Sequence, residues 1–179
     1  MIFMSFVIGI SQGIQPIIGF NYGAAKYTRV RKTYLLALAT ATALSFVAFG
    51  CFQLFPRQII SVFGKGSELY FQFSERYFRI YMFLTLINGI QPVTSNFFNS
   101  IGKSSLGVFM SLTRQILFLL PLIIVFPIFM GIDGVMYAGP IADAATGIVC
   151  GIFTIRELKE LKTLSYTSEN AAAASGSAN

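Results

Sequence analysis

The chain has 179 residues, of which 55% are hydrophobic and 11% charged, against about 25% charged in an ordinary soluble domain. The few charges are clustered, leaving stretches that only a bilayer would shelter, and 13 Lys and Arg against 7 Asp and Glu give a net charge of +6. With no histidine and two lone cysteines, Ser-His-Asp and Cys-His catalysis, His-based zinc sites and a cysteine metal cage are excluded, and the chain reads as a non-enzyme with no cofactor.

Five apolar segments follow in chain order, at about 1–25, 34–55, 77–101, 105–130 and 133–155. Each is long enough for a helix of about 20 residues to cross about 30 Å of hydrocarbon, and none shows the strict alternation of a barrel strand. The predicted fold is all-α: a polytopic transmembrane helix bundle over residues 1–164. Residues 165–179, rich in Ala, Ser, Asn and Gly, read as a disordered tail with no assigned function.

Between the spans, Lys26, Arg29, Arg31, Lys32, Lys103, Arg156, Lys159 and Lys162 fall on one side and Arg57, Lys65, Arg76 and Arg79 on the other. The positive-inside rule makes the first side cytoplasmic, so the chain starts outside, crosses the cell membrane five times and ends in the cytoplasm. Tyr22, Tyr27, Tyr34, Tyr70, Tyr77, Tyr81 and Tyr137 fall near span ends, where amphipathic rings prefer to sit. The lipid bilayer is thus the first partner. No base-stacking platform accompanies the positive charge, so nucleic acid is not one.

No Lys or Arg occurs before Lys26, so the first span lacks the basic region of a secretory signal. It also lacks a cytoplasmic flank. The expectation is a fragment whose upstream helices are missing.

Gly13-Ile14-Gln15-Pro16 recurs as Gly89-Ile90-Gln91-Pro92. Each copy lies in a span running inward, is followed by an Asn (Asn21; Asn96), and ends at a small-residue turn with a lysine (Lys26; Lys103). This predicts a duplicated helix hairpin, and internal repeats are typical of transporters. Proline within a span removes an amide donor and frees a carbonyl, which Gln15 or Gln91 could satisfy. Pro16, Pro92, Pro121 and Pro140 are hinge candidates, against the plainer reading of packing kinks; Pro127 adds a further break.

Helical spacing places Ser5, Gly9, Gln12, Pro16, Gly19 and Gly23 on one stripe of the first span, and Asn88, Gln91, Ser95 and Asn99 on another in the third. Such stripes face other helices or water. Gln12, Gln15, Asn88, Gln91, Ser95 and Asn99 are therefore substrate-cavity candidates, with interhelical hydrogen bonding as the alternative. Ala37, Ala41, Ser45 and Ala48 read as a close-packing face. Asp143 lies near the middle of the fifth span, where an acid is a functional candidate. Arg114 lies in the fourth, and either snorkels to the cytoplasmic interface or pairs with Asp143 at matching depth. Pairing would make Asp143 a structural lock; without it, the acid could carry a proton.

Gly102-Lys103-Ser104 is not a phosphate loop, because Phe97 stands where its first glycine must be. Gly64-Lys65-Gly66 is a turn leading to a plausible cap, Ser67. Cys51 and Cys150 fall at opposite ends of their spans and are not expected to bridge.

The run from Gly13 through Gln15, Pro16, Gly19, Phe20, Asn21, Tyr22, Gly23 and Ala24 to Arg29-Val30-Arg31-Lys32 resembles the MATE family of multidrug and toxic compound extrusion transporters, at the second helix of the C-terminal lobe. Phe55-Pro56-Arg57, Phe63, Gly102-Lys103, Arg114-Gln115, Pro121 and Pro140-Ile141-Ala142-Asp143 extend the resemblance to nearly everything before the tail. It implies the last five helices of a two-lobe transporter that expels small organic cations in exchange for H⁺ or Na⁺, with the missing N-terminal helices as partner. In one branch of the family, coupling acids occur in the first and fourth helices of this lobe. The first is absent here and the fourth, 77–101, has no Asp or Glu, so a complete cation site is not expected in this piece. In the other branch the acid lies in the N-terminal lobe.

The preferred expectation is part of a cation-coupled multidrug exporter working by alternating access. A non-transporting membrane assembly or accessory subunit is the alternative from another class. A lipid-linked saccharide flippase of the same superfamily is a third, disfavoured by the absence of charge on the first span.

Overall fold

A computed structural model describes residues 2–63 and 67–176, and every element among them is helical. In order these are α1 (Ile2–Gly23), α2 (Tyr27–Leu54), α3 (Pro56–Phe63), α4 (Glu68–Tyr81), α5 (Thr85–Asn88), α6 (Ile90–Ser100), α7 (Ser104–Leu112), a π-helical segment (Thr113–Leu119), α8 (Leu120–Met130) and α9 (Ile132–Gly176). Among the described residues four stretches are long and apolar enough to cross a membrane: Phe3–Gly23, Tyr27–Leu54, Ser104–Met130 and Asp133–Thr167. The expected third span instead runs as α4, α5 and α6, with turns at 82–84 and at Gly89.

The break has a local cause. Pro92 is the third residue of α6, where an amide has no intrahelical acceptor and its loss costs little. Gly89, just before, is buried so closely against α2 that a Cβ would meet Ser45 Oγ at 2.7 Å and the Ala41 carbonyl oxygen at 3.3 Å. In the fourth span, Pro121 is the second residue of α8, directly after the π-helical segment. The wider turn lets the chain pass the proline without interrupting the span. Pro16 and Pro140 sit inside unbroken helices, Pro16 exposed and Pro140 buried.

The core is a set of narrow helical stripes. α1 buries Val7, Ser11, Ile14 and Ile18, and α2 buries Val30, Tyr34, Ala37, Ala41 and Ser45, both at steps of three and four residues. Against these lie Val93, Phe97 and Phe98 of α6. The small residues of α2 do form a packing face, with Ala37, Ala41 and Ser45 buried and Ala48 partly so. Broad apolar surfaces elsewhere remain exposed, including Phe20, Phe46, Ile128 and Phe129.

The repeated motif takes the form of two hairpins, α1–α2 and α6–α7, that pack side by side through α1 and α6. Their turns agree bond for bond. Lys26 N donates to Asn21 O and Ala25 N to Tyr22 O; Lys103 N donates to Phe98 O and Gly102 N to Asn99 O. Ala25 (φ 54°) and Gly102 (φ 81°) hold the same left-handed position, the usual exit from a helix. Lys26 and Lys103 each precede the next helix, with φ −88° in both.

Two further expectations differ from the structure. Tyr34 is not an interfacial ring: it is fully buried, with its hydroxyl 3.1 Å from Thr94 Oγ1 and 3.0 Å from Thr154 Oγ1, tying α2 to α6 and α9. The helix also continues to Gly176, through the stretch expected to be a tail from Ser165. Ala171 to Ala174 favour helix, and an existing helix extends more readily than a new one nucleates. Residues 177–179 lie outside the described residues, as does the turn at Lys65.

Candidate functional site

Three irregular or interrupted helices converge on Asp143. Asp143 lies on α9 three residues after Pro140, Arg114 lies in the π-helical segment, and Asn88 is the last residue of α5 before the break at Gly89. Arg114 Nε donates to Asp143 Oδ1 at 2.5 Å. The acid's side chain is 3% exposed and the arginine's 23%. The Asn88 side chain is a further hydrogen-bond partner of the carboxylate. Of the two fates open to Arg114 in the sequence, the structure shows pairing. A buried carboxylate held by a guanidinium and an amide is a cross-link between three spans.

Two members of the third-span stripe, Gln91 and Ser95, meet α7. Gln91 Nε2 points at the carbonyls of Met110 (3.3 Å) and Ser111 (3.4 Å), and Ser95 Oγ donates to Gly107 O at 2.7 Å. Asn99, exposed on its outer side, lies over Gly107, where a Cβ would strike its amide.

A second polar chain joins α1 to α6. Gln15 Nε2 donates to Asn96 Oδ1 at 2.5 Å, Asn96 Nδ2 to Ser11 Oγ at 2.8 Å, and Ser11 Oγ to Ile8 O at 2.9 Å. Asn96 was visible in the sequence only as a feature shared by the two repeats; its place between Gln15 and Ser11 depends on α1 and α6 being neighbours.

The small and polar stripe of α1 has the opposite character. Ser5, Gly9, Gln12, Pro16 and Gly23 are exposed and Gly19 is half-buried, while the other side of the helix packs. A Cβ at Gly9, Gly13 or Gly23 would meet nothing within 4 Å. Gln12 thus presents its amide on an uncovered face, and Gln15 lies at that face's margin.

At the end of the bundle opposite α3, Lys103 Nζ donates to Glu157 Oε1 and Oε2, both at 2.7 Å, and to Glu160 Oε2 at 3.1 Å. Burial opposes the lysine's charge, but the hydrogen bonds it donates to the two glutamates outweigh this and raise its pKa above the ordinary 10.5. Sequence reasoning missed both glutamates, although they stand three residues apart and so share a helix face.

Among the described residues no three His, Cys, Asp or Glu side chains come together as a cation cage. A groove of about 410 Å³ between α3, α4 and α9 is lined by Ile60, Tyr70, Phe73, Tyr77, Phe78 and Met136 and contains none of the polar candidates.

The MatE family model matches residues 1–132. No curated protein matches the chain. Among solved structures, the MATE multidrug transporter DinF-BH, solved in complex with a ligand, is 37% identical with a TM-score of 0.78 over 86% of this chain and 35% of its own. The inward-facing conformation of a multidrug resistance MATE family transporter is 17% identical, with a TM-score of 0.81 over 91% of this chain and 38% of its own. The Vibrio cholerae MATE transporter VcmN in its bent form is 19% identical, with a TM-score of 0.77 over 88% of this chain and 36% of its own. The chain therefore spans little more than a third of each. A family match over well over half the chain, together with the shared helical membrane architecture, establishes that this chain belongs to the MatE family of membrane transporters.

Proposed function

We propose that the chain forms most of the C-terminal lobe of a cation-coupled multidrug exporter, with upstream helices completing the transporter. The observation that carries this reading is the exposed stripe of α1. Gln12, Pro16 and the glycines around them form a narrow face of small residues carrying the Gln12 amide, which nothing among the described residues covers, on a helix of the lobe that resembles the ligand-bound multidrug transporter. An uncovered polar face is unfavourable against lipid and favourable against a water-filled path. Organic cations would move along it as the two lobes alternate, driven by exchange for H⁺ or Na⁺. In that scheme the Arg114–Asp143 pair holds α9 against the fourth span while the lobe moves as a unit.

The test is efflux of a fluorescent organic cation, ethidium, from efflux-deficient cells expressing the chain with its upstream helices. Gln12 is exposed and its side chain makes no hydrogen bond among the described residues, so for Gln12→Leu the exporter reading expects reduced efflux at an unchanged membrane level. Unchanged efflux would remove the α1 face from the pathway. No efflux even from the unaltered protein would favour a non-transporting assembly. Proteoliposomes energised by a pH gradient or a Na⁺ gradient would then assign the coupling ion.

A further inference from the structure

The two repeated turns are alike in backbone and opposite in charge balance. Lys103, in the α6–α7 turn, is held by Glu157 and Glu160. Its counterpart Lys26, in the α1–α2 turn, is exposed, as are Arg29, Arg31 and Lys32 in the next two helical turns, and none of the four forms an ion pair among the described residues. Val30 and Tyr34 turn inward between them, so the cations ring the free sides of the helix end. The helix adds to the imbalance: cations at a helix N-terminus face the positive end of its dipole, and α2 has no acidic residue in its first turn and no side-chain cap. Beside the patch Tyr22 and Tyr27 pack edge to face, with ring centroids 5.6 Å apart, an aromatic pair suited to the headgroup level of a membrane.

We infer that the α1–α2 turn is a docking surface for anionic phospholipid headgroups, with Lys26, Arg29, Arg31 and Lys32 as the phosphate-facing cations and the Tyr22–Tyr27 pair as the anchor at the interface. The partner follows from charge and place. A compact basic patch at the end of a membrane helix lies where lipid phosphates are concentrated, and each Lys or Arg near an anionic surface adds to the attraction. The second hairpin has no such need, because α9 supplies its acids. The inference does not rest on the transport reading or on the coupling ion.

The experiment is native mass spectrometry of the whole chain extracted from vesicles of equal parts phosphatidylglycerol and phosphatidylcholine, scoring the ratio of the two lipids retained. The expected result is selective retention of phosphatidylglycerol, weakened at high salt. The variant K26Q/R29Q/R31Q/K32Q should lower the ratio by about tenfold or more, since each cation is worth about fivefold at an anionic surface. R29K/R31K should keep it, and Arg57→Gln, which removes a cation already paired with Glu68, should leave it unchanged. Should the fourfold variant fail to insert, the salt dependence of the unaltered chain and the single variant Arg31→Gln carry the test. An unselective wild-type chain, or an undiminished ratio in the neutralised variants, overturns the inference. Retention of an acidic protein in place of lipid does so as well.

Discussion

Arg114 Nε lies 2.5 Å from Asp143 Oδ1, joining the π-helical segment of the fourth span to α9 at a point where the acid is almost wholly buried. Removing one partner leaves the other charge uncompensated, whereas removing both leaves an apolar contact. Asp143→Leu or Arg114→Met alone should therefore cost about 3–5 kcal/mol of stability. The double variant R114M/D143L should recover most of that loss. Unfolding in mixed micelles, followed by circular dichroism, measures all three. Additive losses in the double variant would show that the two side chains act separately.

The Lys103–Glu157–Glu160 cluster makes a pH prediction with a definite sign. The folded-state pKa of Lys103 is raised, so its contribution to stability is complete below the unfolded value of 10.5 and fades as pH rises through the folded value. Stability near neutral pH should not depend on this group's titration, and the protein should weaken above about pH 10.5. Lys103→Met should abolish that part of the alkaline loss and lower neutral stability by about 1.5–3 kcal/mol, because nearly buried Glu157 loses a charge-assisted partner. Melting curves at pH 7 and above pH 10 separate the two effects.

Four of the five spans were legible in the sequence because lipid exposure leaves a strong signal of long uncharged runs, whereas the third is broken at 82–84 and at Gly89. So was the repeat, since four identical residues and a shared exit lysine survive on both hairpins. What each polar residue faces was less so. Gln12 and Gln91 look alike in periodicity, yet Gln12 is exposed and Gln91 points at α7 carbonyls, a difference set by which helices are neighbours. Tyr34 misled because its sequence position near a basic flank resembles an interfacial ring, while the depth of α2 in the bundle is set by contacts with Thr94 and Thr154. Glu157 and Glu160 gave no signal in the sequence, because their partner Lys103 is identified only once the α6–α7 turn is placed beside α9.

The repeated glycines should respond differently to the same substitution. At Gly89 an added Cβ meets Ser45 Oγ and the backbone oxygen of Ala41, and Ser45 is itself buried and bonded to Ala41 O at 2.8 Å. Gly89→Ala should therefore push the broken span away from α2 and cost about 1–3 kcal/mol. Gly13, with nothing within 4 Å, should accept Ala with a gain of up to about 1 kcal/mol from helix propensity. Thermal denaturation of the two variants in matched detergent provides the comparison; equal losses would contradict the asymmetry of the two sites.

Tyr34 allows packing and hydrogen bonding to be separated at one position. Its ring lies 4.2 Å from the Phe97 ring, centroid to centroid, and its hydroxyl bridges Thr94 and Thr154. Tyr34→Phe keeps the ring and removes two hydrogen bonds worth about 0.6 kcal/mol each between membrane helices, so the expected loss is about 1 kcal/mol. Tyr34→Ala also opens a cavity where α2, α6 and α9 meet, and should cost about 3–5 kcal/mol. Denaturant titration of both variants reads the difference. If Phe were as damaging as Ala, the hydroxyl bridge rather than ring packing would be what holds the three helices together.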